Sequence, residues 1–418
     1  MKNSERCERL RWPPRLPTAR FPLSRKWPAA LLFVTLATCL VKSQQPVGLV
    51  PGPNRKPVDD PERVLCEVAE LKKSETQGLR VYSPDGKQVL INKEDEEGTA
   101  QVYLGQADSS DVRCITCDEQ PNGPKRNRRK MQPHWHPSGK WVFLAVERDE
   151  YTTPPVLGLS RDYVIGELQC GLWTDMWAVS PDRQEWHRLT NFKSDTPGTP
   201  DGFTGVAFTP DGKKAFWSQI VDGNIFVYYP FGRWEMILAD FEEKDGVPTL
   251  TNLKNITPAG MNWNEPGNFH PDNETLVFSG SDQKDAQGMD IYTLNVRTLE
   301  LTNLTKSPSV WDEHGVFSPD GKKITFMSAY PYRDDPSASQ ILWIRTESMI
   351  MNSDASDIQQ LTHFRKPGYP EYSQGIAANA EWSRDGRTLN LTQLYFPKLE
   401  YWDITFRGGC GDRTRRRR

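Results

Sequence analysis

Residues 82–87 read Tyr82-Ser83-Pro84-Asp85-Gly86-Lys87, and the same kind of turn returns five more times along the chain. The other copies are Trp135-His136-Pro137-Ser138-Gly139-Lys140, Phe208-Thr209-Pro210-Asp211-Gly212-Lys213, Phe269-His270-Pro271-Asp272-Asn273, Phe317-Ser318-Pro319-Asp320-Gly321-Lys322 and Trp382-Ser383-Arg384-Asp385-Gly386-Arg387. In such a turn proline fixes φ, aspartate caps the backbone and glycine takes the positive-φ position. Each copy therefore predicts a hairpin between two strands.

Two more short elements repeat in step with the turns. The second element lies at Gln101-Val102-Tyr103, Asp175-Met176-Trp177, Asn224-Ile225-Phe226, Asp290-Ile291-Tyr292, Gln340-Ile341-Leu342 and Asp403-Ile404-Thr405. The third ends a later strand at Ile115-Thr116, Leu189-Thr190, Ile256-Thr257, Leu304-Thr305 and Leu361-Thr362. Each repeat thus supplies four strands. Six repeats of four antiparallel strands predict an all-β protein, a six-bladed β-propeller.

The last repeat lacks its fourth strand, because the chain ends soon after Asp403-Ile404. Residues 63–68 alternate apolar and polar side chains ahead of the first turn. We expect this N-terminal strand to close the ring by pairing with the strand that contains residues 402–404. Cys66 and Cys410 would then lie near each other, so they form a candidate disulfide.

The turns and the Asp-Ile-Tyr and Leu-Thr elements resemble those of the six-bladed TolB-like propeller family over residues 63–406. The resemblance implies a propeller of the cell envelope. TolB itself carries a further domain ahead of its propeller, and residues 42–62 are too few to supply one. The resemblance is therefore to the propeller family and not to TolB itself or to its partner in the envelope.

The N-terminal segment has the pattern of an export signal. Residues 1–27 contain eight basic residues. The apolar run at 29–41 is shorter than the roughly 20 residues of a membrane-spanning helix. We expect a basic region and signal peptide at 1–43, a Pro/Gly-rich linker at 44–62, the propeller at 63–406 and a basic tail at 407–418. A lipoprotein signal at Leu36-Ala37-Thr38-Cys39 and an uncleaved anchor are the alternatives. The mature chain is expected in the periplasm or outside the cell, without an integral membrane span.

Composition and missing motifs exclude several functions. The 52 Lys and Arg residues nearly balance the 55 Asp and Glu residues. The resulting net charge of -3 does not indicate the basic surface that binds nucleic acid. Propellers of this kind also precede prolyl-oligopeptidase catalytic domains, but the sequence has no Gly-x-Ser-x-Gly elbow. It likewise has no glycine-rich phosphate loop and no His-Glu-x-x-His motif. We therefore expect no organic cofactor.

Polar residues in the first strand of several repeats are the candidates for a ligand site, because first strands line the central channel. These residues are His134, Glu265, Asn268, Glu313, His314, Asn379 and Glu381, and the five histidines and glutamates among them are the candidate ligands. Imidazole and carboxylate together suit divalent ions, so a metal in the funnel is an alternative to a water-filled channel. Counted back from the proline position of each turn, which is Arg384 in the last copy, His134, His314 and Glu381 lie at odd offsets and share one face. Glu265 and Glu313 lie at even offsets and are predicted to be rim groups.

Cys114 and Cys117 form a Cys-x-x-Cys pair without the context of a haem, zinc or thioredoxin-like site. In an exported protein this pair is expected to be a local disulfide or an inert reduced pair.

The sequence favours a non-catalytic binding scaffold, a monomer that holds a protein, peptide or glycan on its funnel face. The competing hypothesis is a metal-assisted polysaccharide lyase or hydrolase with its site in the funnel. An enzyme should have converging carboxylates and imidazoles there, whereas a scaffold should have exposed aromatic side chains and loops without such a cluster.

Overall fold

The computed structural model describes residues 64–410, except 150–170, 183–184, 225–226, 228–231, 282–287, 308, 341–342 and 396–397. The predicted signal peptide (1–43), the linker (44–62) and residues 411–418 of the basic tail lie outside the described residues. Within the described part of the chain, no helix is both long enough and apolar enough to cross a membrane.

The described residues form 24 strands in six sheets of four strands, and every paired strand runs antiparallel to its neighbour. The first two sheets contain β2 (Arg80–Tyr82), β3 (Gln88–Glu94), β4 (Ala100–Gln106), β5 (Arg113–Cys114), β6 (Lys130–Trp135), β7 (Val142–Glu147), β8 (Thr174–Val179) and β9 (Trp186–Arg188). The next two contain β10 (Gly202–Phe208), β11 (Lys214–Asp222), β12 (Arg233–Lys244), β13 (Val247–Asn255), β14 (Trp263–Phe269), β15 (Thr275–Ser281), β16 (Asp290–Asn295) and β17 (Leu301–Asn303). The last two contain β18 (Asp312–Phe317), β19 (Lys323–Ser328), β20 (Glu347–Asn352), β21 (Ile358–Gln360), β22 (Ile376–Trp382), β23 (Thr388–Tyr395), β24 (Lys398–Phe406) and β1 (Val68–Lys73). Two short 3-10 helices, Tyr330–Tyr332 and Pro336–Ser339, lie between β19 and β20.

The inner strands of the sheets follow one another around a ring. Contacts run from β2 through β6, β10, β14, β18 and β22 and back to β2. Six antiparallel four-stranded sheets in this arrangement are a six-bladed β-propeller, so the predicted fold class is confirmed. We number the sheets blades 1 to 6 in the chain order of these inner strands.

The fourth strand of blade 6 comes from the beginning of the described chain. β1 pairs antiparallel with β24, with Leu71 opposite Ile404. The prediction of a strand at residues 63–68 placed it too early, because β1 begins only at Val68. The backbone N–H of Cys66 instead donates to Gln359 Oε1 at 3.0 Å, and Gln359 Nε2 donates to the Cys66 carbonyl oxygen at 3.1 Å. The backbone at Cys66 is therefore bound to blade 5 and not to β24.

Two of the six predicted third strands were also misplaced. In blades 3 and 5 the third strands begin at Arg233 and Glu347, so Asn224 and Gln340 lie in the connections that precede them. A polar residue before two apolar ones is too short a pattern to separate a strand from a long loop.

The repeated threonine identifies the third strands better, because it binds their first residues. In blade 4 the Thr305 hydroxyl donates to Asp290 at 2.9 Å and accepts the backbone N–H of Ile291 at 3.0 Å. The same pair of bonds joins Thr116 to Gln101 and Val102, Thr190 to Asp175 and Met176, and Thr362 to Glu347 and Ser348. Each bond holds the end of the outer strand against the blade.

Apolar side chains pack within and between the blades. In one cluster, Phe216 of blade 3 packs with Phe269, Leu276 and Phe278 of blade 4. Full burial of each such side chain contributes about 1.5–3 kcal/mol. This packing holds the inner strands at fixed positions around the channel.

Candidate functional site

An irregularity in the inner strands of blades 2 to 6 determines which side chains face the channel. In each of these blades, the pairing of the first and second strands shifts register at one place. The residues inside the shift include Gln132, Gly205, Gly267, His314 and Asn379. Such a bulge interrupts the alternation of side chains. Counting odd and even positions along the strand therefore no longer tells which face a residue beyond the bulge occupies.

The bulge in blade 5 brings three of the predicted site residues together. Glu265 of β14 and Glu313 and His314 of β18 each place a potential ligand atom within 4.8 Å of the other two. Glu265 Oε2 and His314 Nε2 are 2.9 Å apart. We call these three residues the carboxylate–histidine cluster.

Glycines allow the inner strands of blades 4 and 5 to approach each other at this cluster. A Cβ atom on Gly267 would overlap the carbonyl oxygen of Gly315, and one on Gly315 would lie 3.0 Å from Ile291 Cγ2. Glycine within a strand often marks such a close approach of two backbones. Gly267 thereby allows close approach of β14 and β18, the strands that carry Glu265 and His314.

The prediction that Glu265 and Glu313 are rim groups is wrong. The two residues are only 6% and 5% exposed, and both lie beside His314. His314 has a φ of 57°, in the left-handed region, and the register of β18 shifts immediately after Glu313. The left-handed conformation and the register shift interrupt the alternation of side chains. Glu313, at an even offset, and His314, at an odd offset, therefore lie on the same side.

Burial determines the electrostatics of the cluster. It raises the pKa of Glu265 to about 8 and that of Glu313 to about 8, and the charge of Glu265 adds to the increase at Glu313. Burial also lowers the pKa of His314. The Trp311 indole N–H donates to Glu313 Oε2 at 2.7 Å and orients that carboxyl group. Because a cation stabilises the charged form of a carboxylate, this site favours a bound cation over two free anions.

Other polar atoms on the inner strands are buried without a hydrogen-bond partner in the described part of the chain. In blades 2 to 6 they are Gln132 Nε2, Thr204 Oγ1, Glu265 Oε2, His314 Nδ1, Asn379 Oδ1 and Trp382 Nε1. Although Glu265 Oε2 lies close to His314 Nε2, the two lack the alignment of a hydrogen bond. Since buried polar groups are nearly always paired, these atoms favour a polar ligand or an ion at this level of the channel.

The other two predicted residues, His134 and Glu381, do not belong to the cluster. They lie on β6 and β22, close to the turns that follow these strands. Burial lowers the pKa of His134 to about 4 and raises the pKa of Glu381 to about 7. Glu381 instead lines a pocket with Arg384.

Sequence reasoning missed Gln132, Thr204 and Arg384. Gln132 lies five residues before the proline of its turn, as His314 does before its own, and both have positive φ. An alignment of the repeats at this offset would have identified Gln132. Position 384 is an arginine where the other five turns have a proline, and this difference could have identified Arg384 from the sequence.

The four cysteines singled out from the sequence are bonded in two pairs. Cys66 is bonded to Cys410, with their Cα atoms 5.0 Å apart, and Cys114 is bonded to Cys117, with their Cα atoms 5.7 Å apart. Neither pair is therefore free to hold a metal ion.

Similarity to curated proteins is limited to part of the chain. No protein-family model matches it. The uncharacterized peptidase YuxL of Bacillus subtilis (strain 168) is 28% identical over 151 residues, which are 33% of this chain and 21% of that protein. The chain thus spans about a fifth of the length of this relative.

Solved structures with a similar fold cover more of the chain. TolB from Acinetobacter baumannii has a TM-score of 0.46 and 14% identity, over 76% of this chain and 63% of that chain. An oligogalacturonate lyase from Vibrio parahaemolyticus has a TM-score of 0.45 and 11% identity, over 81% of this chain and 98% of that chain. The chain covers slightly less than two thirds of that TolB structure. The structures to which this propeller is similar therefore include TolB proteins and other six-bladed propellers.

Proposed function

We propose that the protein is an exported binding propeller whose channel holds a divalent metal ion at the carboxylate–histidine cluster. One observation carries this proposal: two carboxylates and an imidazole have their ligand atoms within 4.8 Å of one another, inside the protein. Of these atoms, Glu265 Oε2 is buried without a hydrogen-bond partner in the described residues. A cation would give this oxygen a partner and stabilise the charged forms of the two carboxyl groups, whose pKa burial raises to about 8.

The donor atoms narrow the class of ion. Two carboxylates and one imidazole suit first-row transition ions such as Mn²⁺ or Zn²⁺, whereas Ca²⁺ and Mg²⁺ prefer sites built from oxygen atoms alone. Three protein ligands leave further coordination positions open. An oxygen atom of a bound protein, peptide or glycan would occupy such a position, and the polar atoms of Gln132, Thr204 and Asn379 would bind its neighbouring groups.

Export is part of the proposal. The basic segment and the apolar run at 29–41 have the order of a secretory signal. The two disulfides support the same conclusion, because disulfides persist in oxidising compartments outside the cytosol. We propose that the mature propeller acts there as a monomer, in the periplasm or outside the cell.

A metal-assisted lyase or hydrolase is the second candidate. Catalytic metal sites commonly have three protein ligands and one open position, and the cluster supplies three. A metal ion in such a site activates a water molecule or polarises a substrate oxygen. Turnover of an acidic oligosaccharide or a peptide by the metal-loaded protein would support this candidate. Metal binding without turnover of either would support the binding propeller.

Calorimetric titration of chelator-treated protein with Mn²⁺ and with Zn²⁺ tests the metal site. We expect one equivalent of metal to bind the wild type, and about tenfold or greater loss of affinity in Glu265→Gln and His314→Asn. Asparagine suits position 314 because it tolerates positive φ. Glu300→Gln, at an exposed glutamate, is the matched control. Equal affinity in the wild type and in both cluster variants would overturn the proposal, and the melting temperatures of the metal-free variants would show that they fold.

A further inference from the structure

Blade 6 differs from the other blades at one position of its turn, where Arg384 replaces proline. Arg384 Nε donates to the carbonyl oxygen of Ser83, and Nη2 donates to that of Tyr82, both at 3.1 Å. The guanidinium group is thereby fixed between the last blade and the first. Among the described residues, Arg384 Nη1 donates no hydrogen bond, so this nitrogen can donate to a ligand.

A small pocket lies beside Arg384, at the ends of the inner strands where the turns begin. Its walls include Tyr82, Asn268, Val316, Glu381, Trp382 and Arg384. Its cavity volume is about 60 Å³, and it is partly open to solvent. Sites that enclose a whole small molecule measure about 300–1,000 Å³, so this pocket has room only for the polar head group of a ligand. No residue of the carboxylate–histidine cluster lines this pocket.

Two opposite charges line the pocket without forming an ion pair. Glu381 and Arg384 both belong to its wall. Burial raises the pKa of Glu381 by more than the positive charge of Arg384 lowers it. A carboxylate and a guanidinium group that are held apart in a pocket favour a ligand that carries both charges.

Trp382 provides a second donor in the same wall. It is 6% exposed, and its Nε1 is buried without a hydrogen-bond partner in the described residues. The tryptophan at the equivalent position of blade 2, Trp135, donates its Nε1 to the carbonyl oxygen of Val81 at 3.2 Å. Trp382 therefore lacks the contact between blades that its counterpart makes, and its N–H group is available to a ligand.

We propose that this pocket binds a free α-amino acid. The carboxylate of the ligand would accept hydrogen bonds from Arg384 and Trp382, and its ammonium group would donate to Glu381. An α-amino acid carries its ammonium and carboxylate groups on the same carbon atom, so these two groups fit a small pocket with separated opposite charges. Its side chain would extend through the open side of the pocket.

Thermal shift assays with each of the twenty standard L-amino acids, followed by calorimetry, test this proposal. We expect at least one amino acid to bind saturably, and we expect its analogues without the amino group or without the carboxyl group to bind at least about tenfold more weakly. Failure of all twenty to bind would overturn the proposal. Equal binding of the amino acid and both analogues would overturn it as well.

Variants separate ligand binding from a purely structural role of these residues. Glu381→Gln and Trp382→Phe should each weaken amino acid binding about tenfold or more, with little change in melting temperature. Arg387→Ala is the matched control, because Arg387 lies in the same turn with its side chain 70% exposed. Glu265→Gln should bind the amino acid normally, which keeps this test independent of the metal site. Unchanged binding in both Glu381→Gln and Trp382→Phe would contradict the proposal.

Discussion

At the scale of single residues, His314 shows how one backbone conformation assembles a site. Its φ of 57° lies in the left-handed region, which is costly for residues other than glycine, asparagine and aspartate. Proteins retain such strain mostly where the surrounding structure or the function requires it. At His314 the strained residue carries an imidazole directly beside the Glu265 carboxyl group.

His134 makes the stability of the protein depend on pH. Burial lowers its pKa in the folded protein to about 4, whereas an unfolded histidine titrates near 6.5. Between these values the unfolded chain binds a proton that the folded chain does not, so the free energy of unfolding should fall as the pH is lowered. In urea denaturation at about pH 7.5 and about pH 5, the wild type should lose roughly 1–2 kcal/mol more than His134→Asn. The same loss in both proteins would contradict this prediction.

At the scale of elements, the repeated threonine is the contact that ties the outer strand of a blade to its third strand. Thr305 is 2% exposed, and the Asp290 carboxylate to which it donates also accepts the backbone N–H of Ser307 at 2.7 Å. Replacing the hydroxyl group by a methyl group would leave the backbone N–H of Ile291 without its acceptor.

Thr305→Val should therefore lower the free energy of unfolding by about 1–3 kcal/mol, the usual cost of an unpaired buried polar group. Thr302→Val, at an exposed threonine of β17, should change it by less than about 0.5 kcal/mol. Urea denaturation of both variants and the wild type measures the difference. Equal effects of the two substitutions would show that the hydrogen bonds of Thr305 do not contribute to stability.

These elements also show what the sequence could predict. The turns were predictable because proline, aspartate and glycine act locally, and six copies support one another. The third strands of blades 3 and 5 were not, because long connections separate Asn224 and Gln340 from the strands that follow. The five candidate residues for the channel site followed from the repeats. Their grouping did not, because a bulge such as that at His314 leaves no mark in an alternating pattern.

At the scale of the whole molecule, blade 6 depends on both ends of the described chain. β1 pairs with β24, and the Cys66–Cys410 disulfide joins the two ends 344 residues apart in sequence. We predict that this pairing closes the ring. Without β1 and Cys66, β24 would have a free edge, and the propeller would lose the covalent link between the two ends of the described chain.

A truncation that starts at Gly78 should therefore melt well below a truncation that starts at residue 64, which retains β1 and Cys66. The expected loss includes the roughly 2–5 kcal/mol that a native disulfide contributes in addition to the strand. Differential scanning calorimetry of the two proteins measures it. If both melted at the same temperature, closure of the ring by β1 would be wrong.

The pairing of β1 with β24 also has a consequence in time. Leu71 lies opposite Ile404, so 404 − 71 = 333 residues separate the two partners. A ribosome that adds about 5–20 residues per second needs roughly 15–70 s to produce the second partner after the first. During this interval the nascent chain cannot complete blade 6, so its native fold must wait until β24 has been made.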